Sequence, residues 1–360
     1  MAKEGTFVPP PRKAARRRHS GPTITDVARE AGVAIMTVSR VVNGGSYVSP
    51  ATEKRVKAAI RRLGYTPNEA ARMLKGQRAR MIGLVVPDLA DSFFATCANA
   101  VQQVAGTHGY MTLIVTSERS VETESNEIAM MAARRIAGLL IVPSRIGADK
   151  RLRELEQAEI PLVALDRTLD GVDAGQVIVE NAGGAEEAVR HLIAHGHRRV
   201  LCIGYDAKVY TIHQRILGYR RAMKEAGLQP EMWTNLTTAD TTEALLRRLM
   251  NEPDRPTALF TLNNVTTIHA LQAVRAMQLR LPADLALIGF DDFELAPLLD
   301  TPLTAVRQPA LELGRSAARM LFDMIRRSRD VGTDVKTERR IVLPTELILR
   351  ASCGCNNHSS

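Results

Sequence analysis

After residue 80 the chain repeats one pattern nine times: a short β-branched run ends in a polar residue and gives way to a helical stretch. The runs cover 82–88, 111–117, 139–144, 162–167, 177–181, 200–206, 258–264, 285–292 and 304–308. Amphipathic segments such as 94–108, 185–195 and 266–277 lie between them. A strand that feeds a helix and then another strand builds a parallel sheet with helices on both faces. Nine such strands exceed the usual single sheet, so an α/β core of two subdomains is expected.

Open α/β sheets bind ligands beyond the carboxyl ends of their strands. Those ends carry Asp88, Thr116-Ser117, Ser144, Asp166-Arg167, Asn181, Asp206, Asn263-Asn264 and Asp291-Asp292. Singly, each reads as a loop cap. Together they would line one cleft with donors and acceptors, which suits a small polyhydroxylated ligand. No G-x-G-x-x-G or phosphate-loop fingerprint follows any run, so dinucleotides and nucleoside triphosphates lack support. No Ser-His-Asp, Cys-His or paired-carboxylate arrangement stands out, and the chain reads as a non-enzyme without cofactor.

Charge is distributed unevenly. The chain carries 48 Lys/Arg against 39 Asp/Glu, yet residues 1–80 hold 17 against 5. Without the five charges of Arg12-Lys13 and Arg16-Arg17-Arg18, 12 basic residues still face 5 acidic ones. A basic head on a near-neutral body is the footprint of a polyanion binder. The N-terminus lacks the apolar stretch of a secretory signal, and no run approaches the ~18 residues of a membrane span. Four scattered cysteines form no disulfide framework. A reduced, cytoplasmic protein with no membrane partner is expected.

The head reads as helices joined by tight turns. Thr25 is the expected N-cap of the first, which Gly32 ends. A second helix spans Ile35 to Asn43 with Val38, Val41 and Val42 inward. Two short helices around a glycine turn form a helix-turn-helix. Ser49-Pro50 opens a third, closed by Gly64. Pro67-Asn68 and Gly76 bound a fourth, too short to stand alone in water, which calls for DNA or a second chain as partner.

The stretch TITDVAREAGVAIMTVSRVVNGGSYVSPATEKRVKAAIRRLGYTPNEAARMLKG, Thr23 to Gly76, resembles the DNA-binding region of the LacI/GalR family of bacterial transcriptional regulators. IGLVVPDLADSFF, GLLIVPS, ALDR, QRILGY, TLNN, IGFDD and VRQP resemble that family's core in order. The resemblance implies an N-terminal all-α helix-turn-helix head plus hinge helix. Behind it comes an α/β core of two Rossmann-like, periplasmic-binding-protein-like subdomains. The expected organisation is a disordered basic arm over 1–22, a DNA-binding domain over 23–67 and a hinge helix with linker over 68–80. An effector-binding and dimerisation core follows over 81–350, then a flexible tail over 351–360.

By the same resemblance the second helix enters the major groove. DNA contacts fall on Thr25, Ile35, Met36, Thr37, Ser39, Arg40, Asn43 and Tyr47, and on Asn68, Ala71, Leu74 and Lys75 of the hinge. Ile35 and Met36 suit thymine methyls, and Arg40 suits guanine O6/N7; Met36 as a plain core residue is the alternative. Leu74 matches the family's minor-groove wedge, against an ordinary contact to the next domain. Effector contacts fall on Asp88, Phe93, Phe94, Ser117, Ser144, Asp166, Arg167, Tyr205, Arg215, Asn263, Asp291 and Gln308. Phe93 and Phe94 as core, and Asp291 as a turn cap, remain alternatives.

Two positions depart from the family pattern, Asn263-Asn264 in place of Asn-Asp and Glu180-Asn181 in place of Asp-Asn, so no relative's effector transfers directly. No metal is expected: Cys353-Gly354-Cys355 with His358 lacks a second ligand pair, and His191, His195 and His197 read as a helix-end cluster favoured by the helix dipole. The expected function is a cytoplasmic, nucleoid-associated regulator, a repressor binding double-stranded palindromic operator DNA as a homodimer. Its effector is a sugar or sugar acid, ahead of a nucleoside or purine. A solute-binding module and an α/β sugar-processing enzyme are the rival readings.

Overall fold

The computed structural model describes residues 21–43, 48–65, 80–328 and 339–355. The chain falls into two compact units, Met1–Gln77 and Arg78–Ser360.

The first unit contains α1 (Ile24–Ala31), α2 (Ile35–Asn43) and α3 (Pro50–Leu63). Thr23, not Thr25, caps α1. Its hydroxyl accepts from the Asp26 amide, and the Asp26 carboxylate accepts from the Thr23 amide. The reciprocal box needs the N-cap and N3 positions, three residues apart; Thr25 already lies inside the first turn. Hydrogen bonds from Thr23 also hold the Asp26 carboxyl below its ordinary pKa. Gly32 ends α1 at φ 62°, a left-handed conformation in which its amide turns back to the carbonyls of Ala28 and Arg29. Ser49 accepts from the Thr52 amide and Pro50 takes the first helical position of α3. The three helices meet on Val27, Ala28, Ala31, Val38, Val56 and Ala59. Burial of each of those valines contributes about 1.5–3 kcal/mol.

In the second unit, one sheet comprises β1 (Met81–Val86), β2 (Met111–Thr116), β3 (Leu139–Ile141), β4 (Leu162–Leu165), β5 (Ala174–Val179) and β11 (Arg340–Leu343). Its order is β11-β5-β4-β3-β1-β2, all parallel. The other comprises β6 (Val200–Ile203), β7 (Glu231–Trp233), β8 (Ala258–Thr261), β9 (Ala286–Phe290), β10 (Thr304–Arg307) and β12 (Glu346–Ile348). Its order is β12-β10-β9-β8-β6-β7, parallel except for β12, which runs against β10. The helices are α4 (Ser92–Thr107), α5 (Val121–Ala133), α6 (Lys150–Gln157), α7 (Asn181–Ala194), α8 (Tyr210–Glu225), α9 (Ala239–Met250), α10 (Asn264–Ala276) and α11 (Ala310–Arg327).

Strands β3, β4, β6, β8 and β9 are buried at every residue, as expected where helices cover both faces of a parallel sheet. The sequence pattern misses β7, β11 and β12. All three are edge strands with only partial burial, so none carries an unbroken apolar run. The antiparallel β12 also departs from the all-parallel expectation.

Three crossings join the subdomains: β5 into α7, β10 into α11, and β11 into β12. α11 returns to the first subdomain, where Leu313, Ala317 and Leu321 share a core with Ile82 and Val163. In each sheet the chain order reverses, around β1 and around β6. Such switch points leave a crevice at the carboxyl ends of the strands.

Residues 351–355, the described part of the tail expected to be flexible over 351–360, are folded. Ala351–Cys353 forms a single 3-10 turn with Ser352 and Cys353 fully buried. The Ser352 hydroxyl donates to the Leu287 carbonyl at 2.6 Å and accepts from the Thr304 amide at 2.8 Å. These bonds satisfy backbone groups of the second sheet, which is why a terminal segment without an apolar pattern stays packed. Residues 356–360 lie outside the described ones. Among the described residues, no helix is long and apolar enough to cross a membrane.

Candidate ligand cleft and DNA-reading helix

Arg215, in α8, is the most connected side chain of the cleft. Its Nε donates to Asn181 Oδ1 at 2.8 Å, and its Nη1 donates to the Leu262 carbonyl at 2.7 Å and to Asp291 Oδ2 at 3.2 Å. The guanidinium stacks over Phe290, 3.7 Å from the ring centroid. Three polypeptide segments thus converge on one buried cation. The approach depends on Gly218, one turn further along α8. A Cβ there would overlap the Ala182 carbonyl oxygen of α7, so only glycine lets the two helices come this close.

Asp166 and Asp291 follow β4 and β9 directly, and both adopt left-handed backbone, φ 67° and 76°. Such conformations cost about 1–3 kcal/mol each and concentrate at functional sites. Asp291 accepts from Gln308 as well as Arg215, while Asp292 turns away to pair with Arg307 and Arg350. Burial pushes the Asp166 carboxyl up to about 6, against the pull of Arg167 and Arg215. Its Oδ1 has no hydrogen-bond partner, nor have Arg167 Nε and Gln308 Oε1. Arg167 Nε lies 3.5 Å from Asp166 Oδ2, an ion-pair distance without hydrogen-bond geometry.

These groups border one inner cavity of about 40 Å³. Phe93, Phe94, Tyr205, Arg215, Asn263 and Asp291 of the expected set also line it. A neighbouring cavity of about 310 Å³ shares Phe93, Asn264, Asp291 and Gln308 with it and widens toward solvent. Phe93 and Phe94 pack edge to face, with Phe94 also in the first subdomain's core. Asn263 caps α10 through Thr266. Asp88, Ser117 and Ser144 stand apart from both cavities. Asp88 faces Arg119 and accepts from the Ala90 amide. The Ser144 hydroxyl donates to Ser117 at 3.3 Å inside the first subdomain, and the Ser144 amide donates to Glu124 at 2.7 Å.

The cavity adds residues that sequence reasoning did not assign to the site, Asp91, Arg119, Thr211 and Ile212, and takes in Asn264, named only among the polar strand ends and the departures from the family pattern. Asp91 caps α4, and burial raises its carboxyl pKa. Its capping position in the DSFF segment was a readable signal, as was the departure at Asn264. Thr211 and Ile212 occupy the first turn of α8, where no local pattern marks them. A larger cavity of about 620 Å³ lies between α6 and α11, bordered by Ser328 and Arg339, and takes in none of the expected site residues.

In the head, the first turn of α2 presents Ile35 and Met36 at 48% and 65% exposure, so Met36 is not a core residue. Arg40 and Thr25 are exposed; Thr37 and Ser39 are half-buried. Apolar side chains held out to solvent beside an arginine form a surface suited to base edges. Tyr47, Asn68, Ala71, Leu74 and Lys75 lie outside the described residues, as does the Asn43 side chain.

Comparison with known proteins follows this architecture. Residues 23–68 match the sequence profile described as bacterial regulatory proteins of the lacI family, and residues 189–353 match that of a periplasmic binding protein-like domain. The chain is 31% identical to the HTH-type transcriptional repressor CytR of Escherichia coli (strain K12), spanning 94% of this chain and 98% of that protein. The crystal structure of the lac repressor dimer bound to operator and the anti-inducer ONPF is 27% identical, with a TM-score of 0.76 over 93% of this chain and 99% of that one. The complex of the transcriptional regulator CelR with cellobiose is 32% identical, with a TM-score of 0.65 over 92% and 99%. A helix-turn-helix head, two parallel-sheet subdomains in the same order and this likeness over nearly the full length lead to one conclusion: the chain belongs to the LacI family of bacterial transcriptional regulators.

Proposed function

We propose that the protein is a repressor that binds a palindromic operator as a homodimer and is controlled by a sugar or sugar acid held in the cleft. The observation that carries the effector reading is the set of three buried, unpartnered polar atoms, Asp166 Oδ1, Arg167 Nε and Gln308 Oε1, around one cavity. Leaving such atoms unsatisfied costs about 1–3 kcal/mol each. A ligand rich in hydroxyls satisfies acceptors and donors together, and a sugar acid would also bring a carboxylate to Arg167.

The inner cavity has room for on the order of three waters, so the two subdomains must part to admit a monosaccharide. The effector acts through its different affinity for the open and closed forms. In the head, Ile35 and Met36 would meet thymine methyls and Arg40 a guanine, with Thr25, Thr37, Ser39, Asn43 and Tyr47 on phosphates or flanking positions. Asn68, Ala71, Leu74 and Lys75 would serve the minor groove, with Leu74 as wedge. As a regulator of bacterial genes it would work in the cytoplasm.

The test is a thermal-shift panel on the full-length protein with monosaccharides, sugar acids, sugar phosphates and purines. A ligand at 100 times its Kd adds about 2.7 kcal/mol of stability. A sugar should raise the melting temperature, and Gln308→Ala should remove that rise. A panel in which only purines act, or none does, overturns the sugar assignment.

A further inference from the structure

His191 and His195 stand one turn apart at the carboxyl end of α7, their ring centroids 4.3 Å apart. The folded tail brings Cys353 and Cys355 against them from the far end of the sequence. One ring nitrogen of each histidine and the Cys355 Sγ all lie within 4.8 Å of one another. Cys353 Sγ lies 3.3 Å from His191 Nε2. All four cysteines of the chain are free thiols. We propose that His191, His195, Cys353 and Cys355 form a tetrahedral site for zinc or a closely related divalent transition metal, fastening the C-terminal tail to α7.

The donor set matches that chemistry. Two imidazoles and two thiolates select borderline-soft ions over calcium or magnesium. Zn–N near 2.0–2.1 Å and Zn–S near 2.3 Å make the edge of a tetrahedral site about 3.3–3.8 Å, the separation already present between His191 and Cys353. The exposed His195 and the half-buried Cys355 supply the other two ligands, with donor atoms within 4.8 Å of His191. Histidines at i and i+4 share one helix face, and the carboxyl end of a helix favours a cation.

The surrounding bonds fix the ligands. His195 Nδ1 lies 2.8 Å from the His191 carbonyl oxygen. A carbonyl only accepts, so Nδ1 carries the proton and Nε2 keeps its lone pair for a metal. The Thr304 hydroxyl donates to Cys353 Sγ at 3.2 Å, an outer bond of the kind that orients metal ligands. Ser352, held by Leu287 and Thr304, keeps the tail in place beside them. The opposite end of α7 carries Asn181, which binds Arg215. The site therefore braces the helix whose amino end holds Arg215, without touching the cleft itself.

The test uses the full-length protein, reduced and stripped with a chelator, then titrated with Zn²⁺ or Co²⁺. One equivalent per chain should remain after gel filtration. Co²⁺ should give a thiolate-to-metal charge-transfer band and the intense visible bands of a tetrahedral ion. Cys355→Ser and His195→Ala should each weaken binding at least ~10-fold and remove the rise in melting temperature that Zn²⁺ confers, while the metal-free variants melt like the metal-free parent. Absence of bound Zn²⁺, a Co²⁺ spectrum without thiolate character, binding that survives both substitutions, or a Cys353–Cys355 disulfide that resists thiol reductants overturns the proposal.

Discussion

The Asn264 amide donates to the Asp91 carboxylate across the cleft at 3.0 Å, joining the start of α10 in one subdomain to the cap of α4 in the other. Parting the two subdomains would break it. A hydrogen bond to a carboxylate is worth about 1.5–3 kcal/mol, enough to shift an open–closed equilibrium about tenfold or more. Asn264→Ala should enlarge the radius of gyration of the ligand-free core in small-angle scattering. An unchanged profile would show that other contacts hold the cleft shut.

Asp166 should make stability depend on pH. Its pKa of about 6 in the fold stands above the ordinary 3.8, so the folded chain binds the proton more readily than the unfolded one. The stabilisation linked to that proton is complete below about pH 4 and lost as pH rises to about 6. Above that, the buried charge costs about 2–3 kcal/mol. Asp166→Asn should therefore melt higher than the parent at pH 7.5 and show a smaller loss of stability between pH 4 and 6. A variant less stable at pH 7.5 would mean that the carboxylate is compensated by its arginines.

Arg215→Lys should not behave as a conservative change. An ammonium cannot present the planar fork that reaches Asn181, Leu262 and Asp291 together. The loss should be about 2–4 kcal/mol, read as a lower urea midpoint with an unchanged slope. A midpoint within error of the parent would remove Arg215 from its structural role.

Arg40→Ala should weaken operator binding by about 1–3 kcal/mol and relax preference at one G·C position. Fluorescence anisotropy with operators substituted one base pair at a time measures both effects. Uniform weakening across all sequences would instead place Arg40 on a phosphate, and the salt dependence would then fall by about one counterion.

Local chemistry made much of this protein readable from its residues. Central strands such as β4 and β9 are buried on both faces, so they appear as continuous apolar runs. The Ser49-Pro50 start and the Gly32 stop are settled by backbone rules acting within a few residues. The polar strand ends could be named as site candidates because the carboxyl edge of a parallel sheet is where ligands bind. The head's capping box, by contrast, lies at Thr23 and Asp26 rather than at the expected Thr25.

Tertiary structure alone decided which of those residues meet. Asp166, Arg215, Asp291 and Gln308 share a cavity, whereas Ser117 and Ser144 bond each other within one subdomain. Edge strands β7, β11 and β12 exist because neighbours supply their hydrogen bonds, without a buried run of their own. The tail folds because Thr304 and Leu287 offer partners to Ser352. His191 and Cys353 are neighbours only because α7 and the tail cover the same side of the second sheet. Spacing along a chain reports contacts within a turn or a strand; contacts across the fold depend on strand order and on which face each helix covers.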